Sequence, residues 1–303
     1  MFTKIAIIGT GNVGTWLFKI LQNQKNLEVF SFSSRKIETL SQHFDLYIFA
    51  LKDDIYEDVL QQIPFKMSHA VHTSGSLSQN ILAPYSEKFG VLYPYQSITK
   101  TDNTLNPYLS KATLVAEEQK SRKAEKEKGE RRKEEGGKEE DNGRISLSNF
   151  EGVLEGRGNL YIEIPICVEG SDSVFEDLLY QWANSIFNIV HKINEKQRFA
   201  MHLAAVFANN FTNAMYEVAY QIFKENDLDW SLIFPLLDNT LEKAKHHAPH
   251  LVQTGPAKRG DVSIMEKHCN ALNNEDFKIL YRMVSKIISK TILNPSVETD
   301  NNL

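Results

Sequence analysis

KIAIIGTGNVG, residues 4–14, places three glycines directly after a run of apolar residues and at the start of a helical pattern. A G-x-G-x-x-G turn between a strand and a helix is typical of dinucleotide binding. Gly9 permits the tight turn, Gly11 lets the backbone approach a pyrophosphate, and Gly14 lets the helix pack closely on the strand. The amides at the start of the helix then face the phosphate charge. The alternative is a glycine turn that serves packing alone.

Short apolar runs alternate with helical patterns through the first hundred residues, which favours β-α-β units and a parallel sheet. The predicted strands are 4–8, 28–32, 46–50, 70–73 and 91–93. The predicted helices between them are 13–23, 37–44, 55–63 and 77–83. Beyond the first hundred residues the pattern adds a strand within 159–170, a helix at 174–187 and a strand at 188–193. The predicted fold class is an α/β Rossmann domain with a parallel, doubly wound sheet.

The pattern is helical from Asn194 to nearly the end of the chain. Asn194 can cap the first turn and Gln197 can reach back to it, which is a capping-box arrangement. The helix that follows is predicted to run to about Asn226. We therefore expect a Rossmann domain over residues 1–193 and an all-helical substrate and dimerisation domain over residues 194–303.

Residues 116–143 interrupt this pattern, because about two-thirds of them are charged and the two signs are nearly balanced. Such a segment cannot bury enough apolar surface to offset its chain entropy. We interpret it as a solvated insertion within the Rossmann domain, and a dedicated binding role is the alternative.

The composition narrows the function classes. A net charge of -5 gives no reason to expect a nucleic-acid partner. The N-terminus lacks a signal-peptide pattern, and no apolar run approaches the roughly 18 residues that span a membrane. Cys167 and Cys269 are too few for a disulfide framework or a cysteine zinc site. The expected location is the cytoplasm, without a membrane partner.

The end of the second predicted strand reads Phe32-Ser33-Ser34-Arg35-Lys36. NAD-binding relatives carry an acidic residue here, which would repel a 2'-phosphate. Serine hydroxyls and an arginine would bind that phosphate, so NADP is expected rather than NAD. An ordinary solvated loop is the alternative. The predicted cofactor-binding residues are Gly9, Thr10, Gly11, Asn12, Val13, Gly14, Ser33, Ser34, Arg35, Ala50 and Leu51.

Two polar turns, residues 72–76 and 93–97, end later strands at the same edge of the sheet. They suit a substrate pocket, although turn chemistry alone also explains them. Asp53 or Asp54 is expected to cap the helix after the third strand. The predicted substrate-binding residues are Ser74, Gly75, Gln96, Thr254 and Arg259.

A second glycine turn, QTGPAKRGD at residues 253–261, precedes another helix. Asp261 is expected to cap that helix, while Arg259 binds a substrate carboxylate or pairs with an acid. His246 and His247 have no acid or cysteine at ligand spacing, so we interpret them as surface residues rather than a metal site.

The long helix predicted after residue 194 contains several polar residues, in HLAAVFANNFTNAMYEVAY at 202–220. At about 100° per residue, Asn209 and Asn213 lie within about 20° of His202 and form one stripe. The rest of the surface is apolar, so the helix is expected to be buried or shared with a partner. The stripe either faces neighbouring helices or a dimer interface, or faces the nicotinamide cleft with His202 as a proton donor.

GTGNVG, HTSGSL, YPYQSI, HLAAVFANNFTN and QTGPAKRGD together resemble a family of Rossmann-like oxidoreductases whose C-terminal half is a domain of unknown function. That family is similar to deazaflavin-dependent NADP reductases, and the resemblance covers nearly the whole chain except about residues 101–160. It implies an NADP-type Rossmann domain and a helical dimerisation domain like that of 6-phosphogluconate dehydrogenase and pyrroline-carboxylate reductase. In those relatives the long helix often carries a catalytic lysine with an asparagine one turn later; here His202, Asn209 and Asn213 are the nearest substitutes.

These features predict an NADPH-dependent oxidoreductase that transfers hydride to or from a small carbonyl or imine substrate in an interdomain cleft. His202 is the expected proton donor, Asn209 and Asn213 orient the substrate, and the helical domain forms a homodimer. The alternative is a non-catalytic NADP-binding dimer that serves as a sensor or scaffold. An S-adenosylmethionine enzyme also uses a glycine turn, but the serine-arginine loop disfavours it.

Overall fold

A computed structural model of the chain describes residues 1–41, 43–99 and 164–293. The charged insertion at 116–143 and the first part of the strand predicted within 159–170 lie outside these residues. The chain divides into two compact units, Met1–Phe207 and Ala208–Leu303. The first unit thus extends beyond the boundary predicted at residue 193.

The first unit is built on one sheet of seven strands in the order β2-β1-β3-β4-β5-β6-β7. The strands are β1 (Lys4–Ile8), β2 (Glu28–Phe32), β3 (Leu46–Phe49), β4 (Met67–His72), β5 (Ser86–Pro94), β6 (Ile166–Gly170) and β7 (Val190–Lys192). The chain adds β2 on one side of β1 and then returns to add β3 on the other side. The Rossmann-type α/β fold is therefore confirmed.

The sheet is mostly parallel, as predicted, and one pair of strands departs from that prediction. Strands β1 to β5 are parallel, but β6 pairs antiparallel with β5, so that Gly90 lies opposite Gly170 and Pro94 opposite Ile166. Strand β7 is parallel to β6. An apolar run shows that a strand is buried, but it carries no information about the direction in which the strand pairs.

Hydrophobic clusters cover both faces of the sheet. One contains Ile5, Ile7 and Trp182, and another contains Ile8, Tyr47 and Tyr56. Because strands β1 and β3 are buried on both faces, their sequences are continuous apolar runs rather than alternating ones. This property made them predictable from the sequence.

The helices of the first unit are α1 (Asn12–Leu21), α2 (Tyr56–Leu60), α3 (Ser173–Asn184) and α4 (Glu195–Ala205). The helix predicted at 37–44 was wrong, since the chain makes only a 3-10 turn at Ile37–Thr39. The Tyr47 hydroxyl binds the carbonyl of Ser41 and the amide of Phe44, so that side chain replaces helical hydrogen bonds there. The helix predicted at 77–83 is likewise reduced to a 3-10 turn, Gln79–Leu82, which the Ser78 side chain caps.

Helix α4 begins with the predicted capping box, in which Asn194 and Gln197 exchange hydrogen bonds. A π-helical segment, Val206–Phe211, follows α4 and leads into α5 (Thr212–Glu225). The long helical stretch predicted from Asn194 to about Asn226 is confirmed, with this change of helix type in its middle.

The second unit is helical. Its further helices are α6 (Phe234–His246), α7 (Pro256–Arg259), α8 (Val262–Ala271) and α9 (Glu275–Leu293). Only Ala257 and Cys269 are buried apolar residues among its described residues, whereas many large apolar side chains are exposed. No helix in the described part of the chain is long and apolar enough to cross a membrane.

Candidate functional site

The glycine turn after β1 has the close packing that its sequence predicts. Gly9 has a φ of +118°, and a Cβ there would lie 2.2 Å from the carbonyl oxygen of Ala50. A Cβ on Gly14 would lie 1.9 Å from the carbonyl oxygen of Gly9. The turn, the start of α1 and the end of β3 therefore touch one another through backbone atoms, which only glycine allows.

Gly11 differs from its two neighbours in the motif, because a Cβ on it would meet no atom within 4 Å. Gly11 is also the N-cap residue of α1, and it has no side chain with which to cap that helix end. Thr10 lies beside it in the turn, while Asn12 and Val13 begin the helix. The arrangement leaves an open space at a helix N-terminus, where the backbone favours a phosphate.

The loop after β2, residues 33–36, lies next to this turn. The amide of Gly9 donates to the carbonyl of Phe32, the last residue of β2. Ser33 and Lys36 close a turn through a backbone hydrogen bond, and the Ser33 hydroxyl accepts from the amide of Arg35. The Arg35 side chain is exposed, and no carboxylate pairs with it in the described residues. Ser33, Ser34 and Arg35 therefore lie at the end of β2, beside the glycine turn, and their role in binding a 2'-phosphate remains a prediction.

Residues after β3 and β4 meet at the same edge. The Ser76 hydroxyl donates to the Asp53 carboxylate, so Asp53 joins the two loops. The expectation that Asp53 or Asp54 caps the following helix was wrong, because neither side chain makes a capping bond. The Ser74 hydroxyl accepts from the amides of Ser76 and Leu77, which fixes the loop that contains Gly75.

The side chain of His202, a residue of α4, packs against this loop. A Cβ on Gly75 would be 2.6 Å from His202 Nδ1, so the imidazole ring rests directly against the glycine. The same nitrogen is 3.1 Å from the hydroxyl of Tyr93, near the end of β5. His202 is half-buried. It lies beside Gly75, a predicted substrate-binding residue, and beside Tyr93 in the turn at 93–97, which was expected at the same edge of the sheet.

A buried ion pair anchors helix α4 one turn before His202. Arg198 is fully buried, and its Nη2 lies 3.2 Å from Oε2 of Glu169 on β6. Its Nη1 donates to the carbonyl of Leu77, and Oε1 of Glu169 accepts the amide of Glu195. Burial raises the pKa of Glu169, and Arg198 opposes that rise. Because residues four apart share a helix face, the anchor fixes the place of His202.

His72, the last residue of β4, is fully buried next to this loop. Its Nδ1 accepts the amide of Ser74, so its proton is on Nε2, a buried atom with no hydrogen-bond partner among the described residues. Burial, followed by the charge of Arg198, lowers the pKa of His72 to about 4. The ring is therefore neutral at physiological pH and acts as a support for the 74–76 loop.

Comparisons with known proteins agree with this architecture. Residues 164–288 match the family model described as a domain of unknown function, DUF2520. A candidate NADP oxidoreductase from Bacteroides fragilis matches over 95% of this chain and 98% of its own, with 24% identity and a TM-score of 0.69. No curated protein matches the chain.

Two further solved structures are similar. A protein from Thermotoga maritima matches over 96% of this chain and 99% of its own, with 19% identity and a TM-score of 0.57. A 1-pyrroline-5-carboxylate reductase from Streptococcus pyogenes matches over 96% and 97%, with 14% identity and a TM-score of 0.51. The chain has the fold of a Rossmann-type oxidoreductase.

Several predicted residues of this Rossmann-type chain belong to the second unit. Asn209 and Asn213 lie there, and the Asn209 side chain donates to that of Asn210. Their alignment with His202 assumed a uniform α-helix, but the π-helical segment Val206–Phe211 advances the chain with a different turn per residue. The catalytic roles of the two asparagines remain predictions.

The other two second-unit residues are Thr254 and Arg259. Arg259 is exposed and its Nε donates to Asp261 over 2.9 Å, so it pairs with an acid, as one of the two expected alternatives had it. Asp261 is the N-cap residue of α8, as expected, but its side chain makes no capping bond and accepts from Arg259 instead. In the first unit, Gln96 is exposed and accepts the amide of Ser97.

The sequence did not single out Tyr93, Glu169 or Arg198. A signal existed for Arg198, since it precedes His202 by four residues on a predicted helix. Glu169 is an acid within an apolar strand, which is a sign of a buried partner.

His246 is exposed and lies 3.6 Å from Glu242. Among the described residues no group of three His, Cys, Asp or Glu side chains is arranged to hold a metal ion.

Proposed function

We propose that the chain is an NADP-dependent oxidoreductase that acts on a small carbonyl or imine compound. The observation that carries this proposal is that two features lie at the same edge of the sheet. The open turn at Gly11 follows β1, and the ring of His202 rests on Gly75, which follows β4. Strands β1 and β4 are two strand spacings apart, so about 10 Å separates the two features along the edge.

The cofactor part of the proposal rests on the switch point of the sheet. Open α/β sheets bind ligands outside the carboxyl ends of the strands, where the strand order reverses. In this sheet the reversal falls between β1 and β3, which is where Gly9, Ala50 and Leu51 pack. The turn at Gly11 would hold the pyrophosphate, and the loop Ser33–Arg35 would hold a 2'-phosphate. The open turn and the exposed cation of Arg35 suit a dinucleotide, which when bound would supply or accept the hydride.

The catalytic part rests on His202. A reduction of a carbonyl or imine needs a proton donor beside the reacting group, and histidine serves this role most often. His202 is half-buried, its Nδ1 is engaged by Tyr93, and its Nε2 has no hydrogen-bond partner in the described part of the chain. Ser74 and Gly75 border it and would contact the substrate. The pyrroline-carboxylate reductase among the similar structures supports an imine among the compounds to test.

The partner of this chain is proposed to be a second copy. Three side chains spaced four residues apart on α9, namely Ile279, Met283 and Ile287, are each more than half exposed. Exposed apolar surface of this extent on a helical unit marks an interaction surface. The helix of residues 202–220 also exposes Phe207 and Phe211, which leaves sharing with a partner as the explanation of its apolar surface.

Cofactor binding is tested by thermal shift with NADPH, NADH and S-adenosylmethionine. Stabilisation by NADPH beyond that by NADH supports the proposal, and stabilisation by S-adenosylmethionine alone would contradict it. Turnover is tested by following NADPH absorbance with a panel of small carbonyl and cyclic imine acids. Tight NADPH binding without oxidation by any compound would favour a non-catalytic sensor or scaffold.

A further inference from the structure

The ring of His202 is held from two sides. Gly75 supports it on one side, because a Cβ at that residue would lie 2.6 Å from Nδ1 and 2.8 Å from Cγ of His202. Tyr93 holds it on the other, through the 3.1 Å hydrogen bond between its hydroxyl and Nδ1. Real Cβ atoms essentially never approach other atoms so closely, so any larger residue at position 75 displaces the ring. Glycine at this position therefore has a steric reason.

Tyr93 keeps its own proton at neutral pH. Burial, followed by Tyr95 and Cys167, raises the pKa of Tyr93 to about 12. Its hydroxyl has one hydrogen-bond partner in the part of the chain that the structure describes, and that partner is His202 Nδ1. Buried hydroxyls direct their proton to an available acceptor. The phenol therefore donates to Nδ1, and the neutral ring of His202 must carry its own proton on Nε2.

We propose that Tyr93 is a positioning residue that fixes the tautomer of His202 and makes Nε2 the nitrogen that exchanges a proton with the substrate. Gly75 supports this arrangement by giving the ring room to lie within reach of the hydroxyl. The proposal assigns a role to Tyr93 and an atom to the proton transfer, and its catalytic part rests on the proposed function.

The proton transfer balances as follows. The Nε2–H bond of the neutral ring breaks, and its proton joins the carbonyl oxygen or imine nitrogen of the substrate. The electron pair of that bond stays on the ring, and Nδ1 takes the proton of the Tyr93 hydroxyl, because a hydroxyl both donates and accepts. The substrate carbon would take its hydride from the reduced dinucleotide of the proposed function. Nε2 then takes a proton from water and Nδ1 returns its proton to the Tyr93 oxygen, which restores the starting tautomer, so the ring need not turn during the cycle.

The tautomer is measured without any substrate. Protein with ¹⁵N-labelled histidine is studied by long-range ¹H–¹⁵N NMR at a pH where the ring is neutral, and His202→Gln assigns the signals. The wild type is expected to show His202 as the Nε2–H tautomer. In Tyr93→Phe the ratio of that tautomer to the other is expected to fall about five-fold, which is the effect of losing one hydrogen bond.

Two further variants make the test specific. Tyr85→Phe removes a phenol hydroxyl next to the opposite end of β5, where Tyr85 is half-buried, and it is expected to leave the ratio unchanged. Gly75→Ala leaves the Tyr93 hydroxyl in place but displaces the ring, so it is expected to lower the ratio as well. Melting temperatures of all variants show that each remains folded.

Either of two results would overturn the proposal: a wild-type His202 in a mixture of tautomers, or an unchanged ratio in Tyr93→Phe. Failure of the proposed function gives a different result. In that case the tautomer is fixed by Tyr93 as described, but NADPH does not bind or no compound is reduced.

Discussion

Alanine substitutions at Gly11 and Gly14 should separate cofactor binding from folding. At Gly11 an added methyl meets nothing within 4 Å, and the backbone there is extended, with a φ of -74° and a ψ of -171° that alanine also adopts. Alanine is a poorer N-cap than glycine, but it reduces the entropy of the unfolded chain, which offsets part of that loss. We therefore expect Gly11→Ala to change the free energy of unfolding by less than about 1 kcal/mol.

The same substitution should abolish most of the affinity for NADPH. The methyl would occupy the open space at the start of α1, where the proposal places the pyrophosphate. The backbone amides would then lie too far from the phosphate, and we expect the Kd for NADPH to rise by at least about ten-fold, or about 1.4 kcal/mol. Titration calorimetry with NADPH measures this change.

Gly14→Ala serves as the contrast. Its methyl would lie 1.9 Å from the carbonyl oxygen of Gly9, and this neighbour is backbone and cannot rotate away. This variant should lose stability as well as affinity, which urea denaturation shows. The reasoning is refuted if Gly11→Ala binds NADPH as the wild type does, or if it is destabilised as much as Gly14→Ala.

Three further predictions concern other parts of the molecule. Arg35→Glu should reduce the preference for NADPH over NADH by about ten-fold, because a charge-assisted bond to the 2'-phosphate is replaced by repulsion; an unchanged ratio of the two Kd values would contradict the assignment. The lowered pKa of His72, about 4 in the folded chain against 6.5 unfolded, means that the unfolded chain binds the extra proton first. The stability that neutral His72 contributes is present above pH 6.5 and is lost as the pH falls toward 4, by up to about 3 kcal/mol. Urea denaturation should show that His72→Gln loses less free energy of unfolding over that pH range than the wild type does. Equal losses in the two proteins would argue against the lowered pKa. Light scattering should give twice the 34.6 kDa of one chain, and Ile279→Lys with Met283→Lys should give a monomer, whereas a monomeric wild type would refute the proposed dimer.

The sequence predicted the first five strands because short apolar runs alternate with helical patterns there, and two of these strands, β1 and β3, are apolar on both faces. It did not predict the antiparallel pairing of β6, since direction depends on the path of the connection rather than on the apolar run. The helix expected at 37–44 failed because the Tyr47 hydroxyl satisfies the backbone there. In both cases the outcome depends on hydrogen bonds that the apolar pattern does not report.

The candidate site follows the same rule. Spacing alone identified Gly9, Gly11 and Gly14, because a turn is a local structure. The contact between Tyr93 and His202 joins residues 109 apart in the chain, and no local pattern reports it. The stripe that linked His202 to Asn209 and Asn213 assumed one uniform helix, and a π-helical segment is not readable from the residues VFANNF. The sequence thus identified His202 but not the residues that hold it.

The central claim is that His202 delivers a proton beside a bound NADPH. The most direct test compares the wild type with His202→Gln in NADPH oxidation against the carbonyl and imine panel, with the Kd for NADPH measured in parallel. We expect the wild type to oxidise NADPH with at least one compound, and the variant to bind NADPH equally well but turn over at least about a hundred-fold more slowly. Wild-type turnover by His202→Gln would contradict the account.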